Sequence, residues 1–273
     1  MVLTTKKKKI MKIAICFSGQ IRTGSECSSN FLNYIGDLIK DCDFFVHTWD
    51  VETISMNLHV DIGKETNKPF FVDNSVFETF KNIYNPRKMT IDKYDSVLTR
   101  NAPGGLRFNQ KTNNYVVSLF ESVFYANELK KQYEEENNFK YDYVVRCRPD
   151  LIFCSSKSLK DDIEQARDKL FLYGAHKRCF GVERVEDIYW IAKSDEMDCV
   201  SNFYEYYSNP NNYIGVNRDW QFVLSHYIQK ECKCNISCLQ NNEFTVYYNH
   251  YKDVFGWDTT NIEECIKRCR ELP

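Results

Sequence analysis

The chain has 273 residues, a mass of 32.4 kDa and a formal net charge of −2, and 27% of its residues are charged. This size suits one large domain, or a domain with a small lobe. The nearly balanced charge excludes the strongly basic surface typical of nucleic-acid-binding proteins, and no stretch approaches the roughly 18 apolar residues of a membrane span. We therefore expect no nucleic acid partner and no integral membrane segment.

The chain begins with a basic segment, in which four lysines at residues 6–9 precede the first predicted strand. A secretion signal needs an apolar stretch of about 7–15 residues, which this segment lacks. We interpret residues 1–11 as a flexible basic tail and residues 12–273 as a single domain. We expect the protein to be soluble, intracellular and cytoplasmic.

An apolar strand over residues 12–18 is followed at once by a polar loop, SGQIRTGS, at residues 18–25. Small residues let backbone N–H groups approach a ligand, and Arg22 adds a fixed positive fork for phosphate. A helix is predicted to begin within residues 25–29, and its N-terminus would favour an anion in the same region. The loop matches neither a Walker loop nor a dinucleotide-binding fingerprint. Its candidate donor-binding residues are Ser18, Gly19, Gln20 and Arg22.

A second strand is predicted around the apolar run at residues 44–46, with polar and aromatic residues at its end. An aromatic ring, a hydroxyl and a carboxylate in these positions suit a nucleoside, through stacking and ribose hydrogen bonds. The alternative is that Trp49 packs in the core and Asp50 caps a turn, and the sequence leaves both interpretations open. The candidate donor-binding residues here are His47, Thr48, Trp49 and Asp50.

Residues 51–100 carry several turn signals and one short predicted helix, over residues 76–83. The clearest helix of the chain follows over residues 115–136, where apolar residues recur at helical spacing. Arg107 and Asn109 precede this helix, on the side where a ligand would lie. They are candidate donor-binding residues, and the alternative interpretation is that they are polar loop residues in solvent.

The most informative stretch is YDYVVRCRPD at residues 141–150, which predicts a buried strand ended by Pro149. By the two-residue period of a strand, Arg146, Arg148 and Asp150 are expected on one side. Open α/β sheets bind ligands outside the carboxyl ends of their strands, so two guanidiniums and a carboxylate there favour an anionic ligand. A surface ion cluster is the alternative.

The second half of the chain continues to alternate between strands and helices. Strands are predicted over residues 170–173 and 188–192, and helices over residues 197–207 and 222–228. Asp219 lies at the start of the last helix, where an acidic residue is a good N-cap. Such alternation predicts an α/β protein with a central, mostly parallel sheet.

The chain has twelve cysteines, several of which lie in or beside predicted buried strands, as free cysteines commonly do. A separate group lies toward the C-terminus, but its spacing is not the paired CxxC of a zinc ribbon, so we expect no structural zinc. Disulfides in this group would require an oxidising compartment. Its members are Cys232, Cys234, Cys238, Cys265 and Cys269.

Three segments in this order, IAICFSGQIRT, DFFVHTWD and YDYVVRCRPDLIF, resemble a family of nucleotide-sugar-dependent glycosyltransferases of large DNA viruses, algae and bacteria. The resemblance covers residues 12–153 and implies a viral glycosyltransferase with a GT-A-like fold, a Rossmann-type αβα sandwich. It implies a nucleotide-sugar half over residues 12–153 and an acceptor half over residues 154–273. The implied reaction moves a hexose or pentose from a nucleotide sugar to a glycan, glycoprotein or other hydroxyl acceptor.

The resemblance also bears on metal binding. Typical GT-A enzymes carry an Asp-Xaa-Asp pair where this chain has RPD at residues 148–150, so only the second acid is present. A Mg²⁺ or Mn²⁺ ion on Asp150, with His250 completing its shell, is implied by analogy, because hard cations take oxygen ligands and substrate phosphates. The arginines provide an alternative way to hold the diphosphate, without a metal.

Sugar transfer with inversion further requires a base on the acceptor hydroxyl. Many inverting GT-A enzymes carry this base at the start of a late helix, which implies Asp219 here, with Asp187 as the second candidate. The sequence does not distinguish inverting from retaining transfer. Two other classes of function stay open. One is nucleotidyl or sulfo transfer, and the other is a non-catalytic carbohydrate- or nucleotide-binding protein on a degenerate transferase fold.

Overall fold

A central sheet organises the part of the chain that this computed structural model describes, which is residues 11–52, 70–93, 110–154, 156–167, 170–173, 185, 187–214, 220–239 and 244–246. The strands are β1 (Ile13–Ser18), β2 (Cys42–Trp49), β3 (Val51–Glu52), β4 (Phe70–Phe71), β5 (Lys88–Asp92), β6 (Tyr143–Cys147), β7 (Leu151–Phe153), β8 (Leu170–Tyr173), β9 (Tyr189–Lys193), β10 (Ile236–Leu239) and β11 (Phe244–Val246). The α-helices are α1 (Ser28–Ile35), α2 (Asn74–Tyr84), α3 (Gln110–Asn137), α4 (Leu159–Gln165), α5 (Ser194–Ser201), α6 (Phe203–Tyr207) and α7 (Trp220–Lys230). Two 3₁₀ helices span Gly36–Asp41 and Pro210–Tyr213.

Seven strands form the central sheet, in the order β10-β8-β9-β6-β1-β2-β5. Adjacent strands pair in parallel except around β9, which runs antiparallel to both β6 and β8. The inner strands read as nearly continuous apolar runs because both of their faces are covered. The predicted α/β fold with a central, mostly parallel sheet is confirmed.

Helices cover the two faces of this sheet. Along β1, Ile13, Ile15 and Phe17 face one apolar cluster, which also contains residues of α1, α2 and α4. Ala14 and Cys16 face the other cluster, which contains residues of α3, α5, α6 and α7. The alternation of side chains along each strand therefore separates two cores, and the architecture is the expected αβα sandwich.

Most predicted elements lie where the hydrophobic pattern indicated, but both edge strands of the central sheet, β10 and β5, were missed. Strand β5 is only partly buried, with polar Lys88, Thr90 and Asp92 among its five residues. A partly exposed edge strand lacks the apolar run by which buried strands are recognised. The helix predicted over residues 197–207 is two short helices, α5 and α6, separated at Asn202. No helix within the described ranges is long and apolar enough to cross a lipid bilayer.

Cys199 and Cys232 form a disulfide that connects α5 to the residues after α7, across a sequence separation of 33. The sequence analysis singled out Cys232 but did not pair it with Cys199. Cys234 is a free, buried thiol. Cys265, Cys269 and the basic tail over residues 1–10 lie outside the described residues.

Candidate functional site

The three polar segments predicted to bind a ligand meet at one edge of the sheet. In the parallel pairing of β1 with β2, Ser18 is opposite His47, and in the pairing of β1 with β6, Phe17 is opposite Cys147. The carboxyl ends of three adjacent strands are therefore level with one another. The loop over residues 18–25, the end of β2 and the residues after β6 surround this edge, as the sequence predicted.

Asp150 lies at the centre of an ionic cluster at this edge. Arg148 donates from Nε to Oδ1 at 2.9 Å and from Nη2 to Oδ2 at 2.8 Å, and Arg22 donates from Nη1 to Oδ2 at 3.3 Å. The carboxylate is fully buried, whereas the side chains of Arg148 and Arg22 are 13% and 10% exposed. Counted over these three described residues alone, two cations share one anion, and of the three only the arginines reach solvent.

Backbone conformation and close packing place Arg22 in this cluster. Gly19 has φ +106° and Arg22 has φ +48°, so the loop uses two positive-φ residues, only one of which is glycine. A Cβ on Gly24 would lie 2.9 Å from Ile21 O, Phe80 Cε2 and Pro149 Cβ. The small size of Gly24 therefore lets the loop pack against Pro149. The backbone N–H of Gly24 donates to Ile21 O at 2.8 Å.

Arg146 lies in a deeper layer than Arg148. Its Nε donates to Ser18 Oγ at 2.7 Å, and its guanidinium carbon lies 4.9 Å from the centre of the Trp190 ring. The residue is 2% exposed. Arg146 thus places a positive charge below the edge of the sheet. Its guanidinium lies over the ring of Trp190, a residue that the sequence analysis did not select.

The residues at the end of β2 are mostly buried. Trp49 is 3% exposed, packs with Val51 and has its ring centre 5.1 Å from that of His47. Of the two interpretations of Trp49, the structure favours packing in the core. The Thr48 hydroxyl is buried and has no hydrogen-bond partner among the described residues. The backbone of Asp50 bonds to Val72 N and Asp92 O, so Asp50 belongs to the turn that leaves β2.

His47 takes part in a chain of hydrogen bonds that the sequence analysis did not anticipate. Its Nδ1 lies 2.9 Å from Ser122 Oγ on α3, and its Nε2 lies 3.2 Å from Asp92 Oδ2 at the end of β5. Burial lowers the pKa of His47, and the hydrogen bond to Asp92 opposes this only in part. The same Ser122 hydroxyl accepts a hydrogen bond of 2.7 Å from Gly19 N. Ser122 thus connects α3 to the loop over residues 18–25.

Asp187 directly precedes Ile188, whose backbone is hydrogen-bonded to that of Arg148. In the antiparallel pairing of β6 with β9, Cys147 is opposite Tyr189, and Arg148 N donates to Ile188 O at 3.1 Å. Asp187 therefore lies two residues before the start of β9, at the end of that strand that pairs with the end of β6. Asp187 is 8% exposed. Of the two predicted candidates for a base, the structure describes this one.

Four predicted site residues lie outside the described residues. Two of them precede α3 and two lie in the second half of the chain. They are Arg107, Asn109, Asp219 and His250.

The described residues fit an anion at this edge better than a metal ion. Both oxygens of Asp150 accept hydrogen bonds from guanidinium groups, and a divalent cation there would meet two like charges. Among the described residues, no three His, Cys, Asp or Glu side chains are close enough together to hold a metal ion. Mg²⁺ or Mn²⁺ binding by Asp150 and His250 stays a prediction, and no chemical step below depends on it.

No protein-family model matches the chain, and no curated protein matches it. Solved structures with a similar backbone include the nucleoside-diphosphate-sugar pyrophosphorylase of Vibrio cholerae RC9, at 11% identity and a TM-score of 0.44, over 90% of this chain and 100% of that one. The apo form of mouse xyloside xylosyltransferase 1 is similar at 7% identity and a TM-score of 0.46, over 85% of this chain and 86% of that one. Likenesses as distant as these carry no argument about the chemistry of the site.

Proposed function

We propose that the protein is a glycosyltransferase that takes a sugar from a nucleotide-sugar donor and binds the donor's diphosphate at Arg22 and Arg148. One observation carries the proposal: two guanidiniums are fixed by a buried carboxylate at the carboxyl edge of a mostly parallel sheet. Ligands of open α/β sheets bind at this edge, and arginine forks match phosphate oxygens in shape and charge. The sequence resemblance of residues 12–153 supports a nucleotide sugar as the ligand.

Sugar transfer explains why positive charge is needed here. When the bond between the sugar and the diphosphate breaks, negative charge develops on the leaving phosphate, and fixed cations stabilise it. Asp150 holds the Arg148 fork through two hydrogen bonds and Arg22 through a third, so both cations are oriented before the ligand arrives. In this role Asp150 is a positioning residue, and the arginines bind the diphosphate.

The acceptor hydroxyl requires a base if transfer proceeds with inversion. Asp187 directly precedes Ile188, whose carbonyl accepts a hydrogen bond from Arg148 N, so the chain brings it to the same end of the sheet as the proposed diphosphate site. Asp219, which precedes α7, is the candidate implied by the family resemblance. We propose these two residues, in this order, as candidates for the base that accepts the proton of a glycan or glycoprotein hydroxyl.

A binding screen with a matched pair of variants tests the proposal. Wild-type protein, Arg148→Ala and Arg167→Ala would be titrated with nucleoside monophosphates, nucleoside diphosphates and nucleotide sugars, with and without Mn²⁺. A ligand at 100 times its Kd stabilises the folded protein by about 2.7 kcal/mol, which a thermal-shift assay detects. Arg148→Ala should weaken diphosphate binding by about 1.5–3 kcal/mol, the range for a hydrogen bond to a charged group. Arg167 is exposed and lies after α4, so its variant should bind like the wild type.

The outcomes separate the rival functions. Equal affinity in all three proteins would remove Arg148 from the site and overturn the proposal. Donor binding without release of the sugar to any acceptor would favour a non-catalytic binding protein. Cleavage within the nucleotide, or use of a sulfate donor, would indicate nucleotidyl or sulfo transfer instead.

A further inference from the structure

The Ser122 hydroxyl is fully buried in the middle of α3, yet it contacts two other segments of the chain. It accepts a hydrogen bond from Gly19 N at 2.7 Å and lies 2.9 Å from His47 Nδ1 and 3.1 Å from His47 O. A single side chain thus joins α3, the end of β2 and the loop after β1. Two of these three segments form the candidate site.

The number of hydrogens that each group can donate determines which group is the donor in the hydrogen bonds that link Ser122, His47 and Asp92. A serine hydroxyl has one hydrogen to donate, and a neutral imidazole has one donor and one acceptor nitrogen. Burial lowers the pKa of His47, so the imidazole is neutral at pH 7. Nε2–H then donates to the Asp92 carboxylate, and the single hydrogen of Ser122 has two acceptors within reach, His47 Nδ1 at 2.9 Å and His47 O at 3.1 Å. The opposite tautomer would turn the lone pair of Nε2 toward a carboxylate, which is unfavourable.

This order leaves a lone pair of the Ser122 oxygen directed at Gly19 N–H. A hydroxyl that donates one hydrogen bond becomes a better acceptor for another, because the bonds in a chain polarise one another. His47 and Asp92 therefore strengthen the hydrogen bond that Ser122 accepts from Gly19 N. Asp92, with 41% of its side chain exposed, is the end of the chain that reaches solvent.

These hydrogen bonds link a serine, a histidine and an aspartate, but this combination does not make Ser122 a nucleophile. A catalytic serine must present its oxygen to a substrate, whereas Ser122 Oγ is enclosed and already accepts the Gly19 N–H bond. The hydrogen-bonded residues Ser122, His47 and Asp92 must instead act through Gly19, whose backbone N–H Ser122 binds.

The loop needs such an anchor because its backbone is unusual. Gly19 has φ +106°, and Arg22, three residues later, has φ +48°, which costs free energy for a residue with a side chain. A Cβ on Gly19 would meet no atom within 4 Å, so its positive φ, and not a lack of space, is what favours glycine there. Gly19 N donates to Ser122 Oγ at 2.7 Å and to His47 O at 3.3 Å, and these bonds hold the start of the loop.

We infer that Ser122, oriented by His47 and Asp92, is a positioning residue that holds the 18–25 loop in the conformation that presents Arg22 to an anion. The anion-binding part of this inference rests on the proposed function. The loop-holding part is measurable without any ligand. Ser122 acts through the backbone of Gly19 and makes no contact with the substrate itself.

The test compares wild type, Ser122→Ala, Gly19→Ala and Ser201→Ala, with far-UV circular dichroism to confirm folding. The first readout is hydrogen exchange of the Gly19 amide by NMR in ligand-free wild type, Ser122→Ala and Ser201→Ala. The second is the Kd for inorganic pyrophosphate by calorimetry in all four proteins. Ser201 is the matched control, because its buried hydroxyl on α5 has no hydrogen-bond partner among the described residues.

Ser122→Ala should speed exchange at Gly19 and raise the pyrophosphate Kd, each by about three- to tenfold, as expected for one lost hydrogen bond. Gly19→Ala should raise the Kd through backbone strain alone, because there is space for its methyl group. Ser201→Ala should change neither quantity. The inference is overturned if, in Ser122→Ala, both the exchange rate of the Gly19 amide and the pyrophosphate Kd stay within twofold of wild type. It is also overturned if Gly19→Ala binds pyrophosphate as tightly as wild type does.

Failure of the proposed function has a different signature. If wild type and Arg148→Ala both fail to bind pyrophosphate or any nucleotide, the proposed function falls. In that case faster Gly19 exchange in Ser122→Ala would still support the holding of the loop by Ser122. Unchanged exchange would overturn the positioning role as well.

Discussion

Burying the charged carboxylate of Asp150 costs free energy, and the structure must have a reason to keep it. Moving a carboxylate and its partners out of water costs several kcal/mol, and the attraction between the charges often only offsets this cost. An apolar cluster of the same volume would stabilise the fold as well or better. The arrangement of Asp150 with Arg148 and Arg22 is therefore better explained by what the arginines bind than by the stability of the sheet edge.

Asp187 allows the catalytic role of a single residue to be tested. Asp187→Asn barely changes the shape of the side chain but removes its ability to accept a proton. If Asp187 is the base, turnover should fall by at least about 100-fold, while nucleotide affinity stays near wild type, because the base acts on the acceptor in the transition state. Turnover with a nucleotide-sugar donor and a separate measurement of nucleotide Kd would check both quantities.

Asp219→Asn is the matched comparison. Asn caps a helix about as well as Asp, so a capping role at Asp219 predicts full activity in this variant. Loss of turnover in Asp219→Asn with full activity in Asp187→Asn would transfer the assignment of the base to Asp219.

The sequence predicted the charged residues of the site better than the residues that position them. Arg22, Arg148 and Asp150 follow apolar strands directly, so strand periodicity and the topology of α/β sheets place them at one edge. Ser122 follows no such rule, because a serine within a 28-residue helix is equally compatible with a solvated face. Its role depends on which helix packs against the ends of β1 and β2, and this is a tertiary contact.

At the scale of elements, the helical layer on the α3 side is assembled from short pieces. Three short helices, α5, α6 and α7, pack beside α3, and α6 has only five residues. Helices this short are not stable alone and depend on tertiary contacts. The disulfide between Cys199 in α5 and Cys232, two residues after α7, encloses α6 and α7 in one covalent loop.

Breaking the disulfide should destabilise this layer. A crosslink that closes a loop of about 33 residues restricts the unfolded chain by about 3–4 kcal/mol in the entropic model. Cys232→Ser should lower the free energy of unfolding under oxidising conditions by up to this amount. Denaturant unfolding with and without a reductant would measure it, and reduced wild type should match the variant.

Cys234→Ser provides the control, because Cys234 is two residues away and is not in the disulfide. Its variant should keep the difference between oxidised and reduced protein. If wild type shows no such difference, the two cysteines are not bonded in solution. A bonded pair would also argue against the cytoplasmic location expected from the sequence, since disulfides persist mainly in oxidising compartments.

At the scale of the whole molecule, sequence pattern predicts the interior of the sheet better than its margins. β1, β2 and β6 are recognisable as apolar runs because parallel strands with two covered faces need them. The direction of β9 is not visible in its sequence, since YWIAK would suit either orientation. The edge strand β5 was missed for the opposite reason, because its partial exposure removes the apolar signal. Yet β5 supplies Asp92, the residue that joins the sheet edge to His47.

Because His47 connects β2, α3 and β5, its protonation should affect the stability of the whole fold. Its pKa in the folded protein lies below the ordinary value of 6.5, chiefly because burial disfavours the imidazolium, although Asp92 opposes this. As the pH falls below 6.5, the unfolded chain therefore binds a proton at His47 before the folded protein does. The stability contributed by neutral His47 is complete above 6.5 and is lost as the pH falls from 6.5 toward the lowered pKa. Asp198 on α5 acts in a separate window: burial opposes the shift, but the Lys130 ammonium at 2.7 Å holds its pKa below the ordinary value of 3.8.

We expect the free energy of unfolding of the wild type to decrease between pH 7.5 and pH 5, by at most about 1.4 kcal/mol per pH unit from this one proton. Urea unfolding at several pH values would measure the slope, with His47→Asn as the comparison. We expect the variant to be less stable at every pH, because it loses the bond to Asp92, so the slope is the quantity to compare. The variant should show a shallower slope than the wild type over this range. Parallel curves for the two proteins would show that His47 does not control the acid sensitivity of the fold.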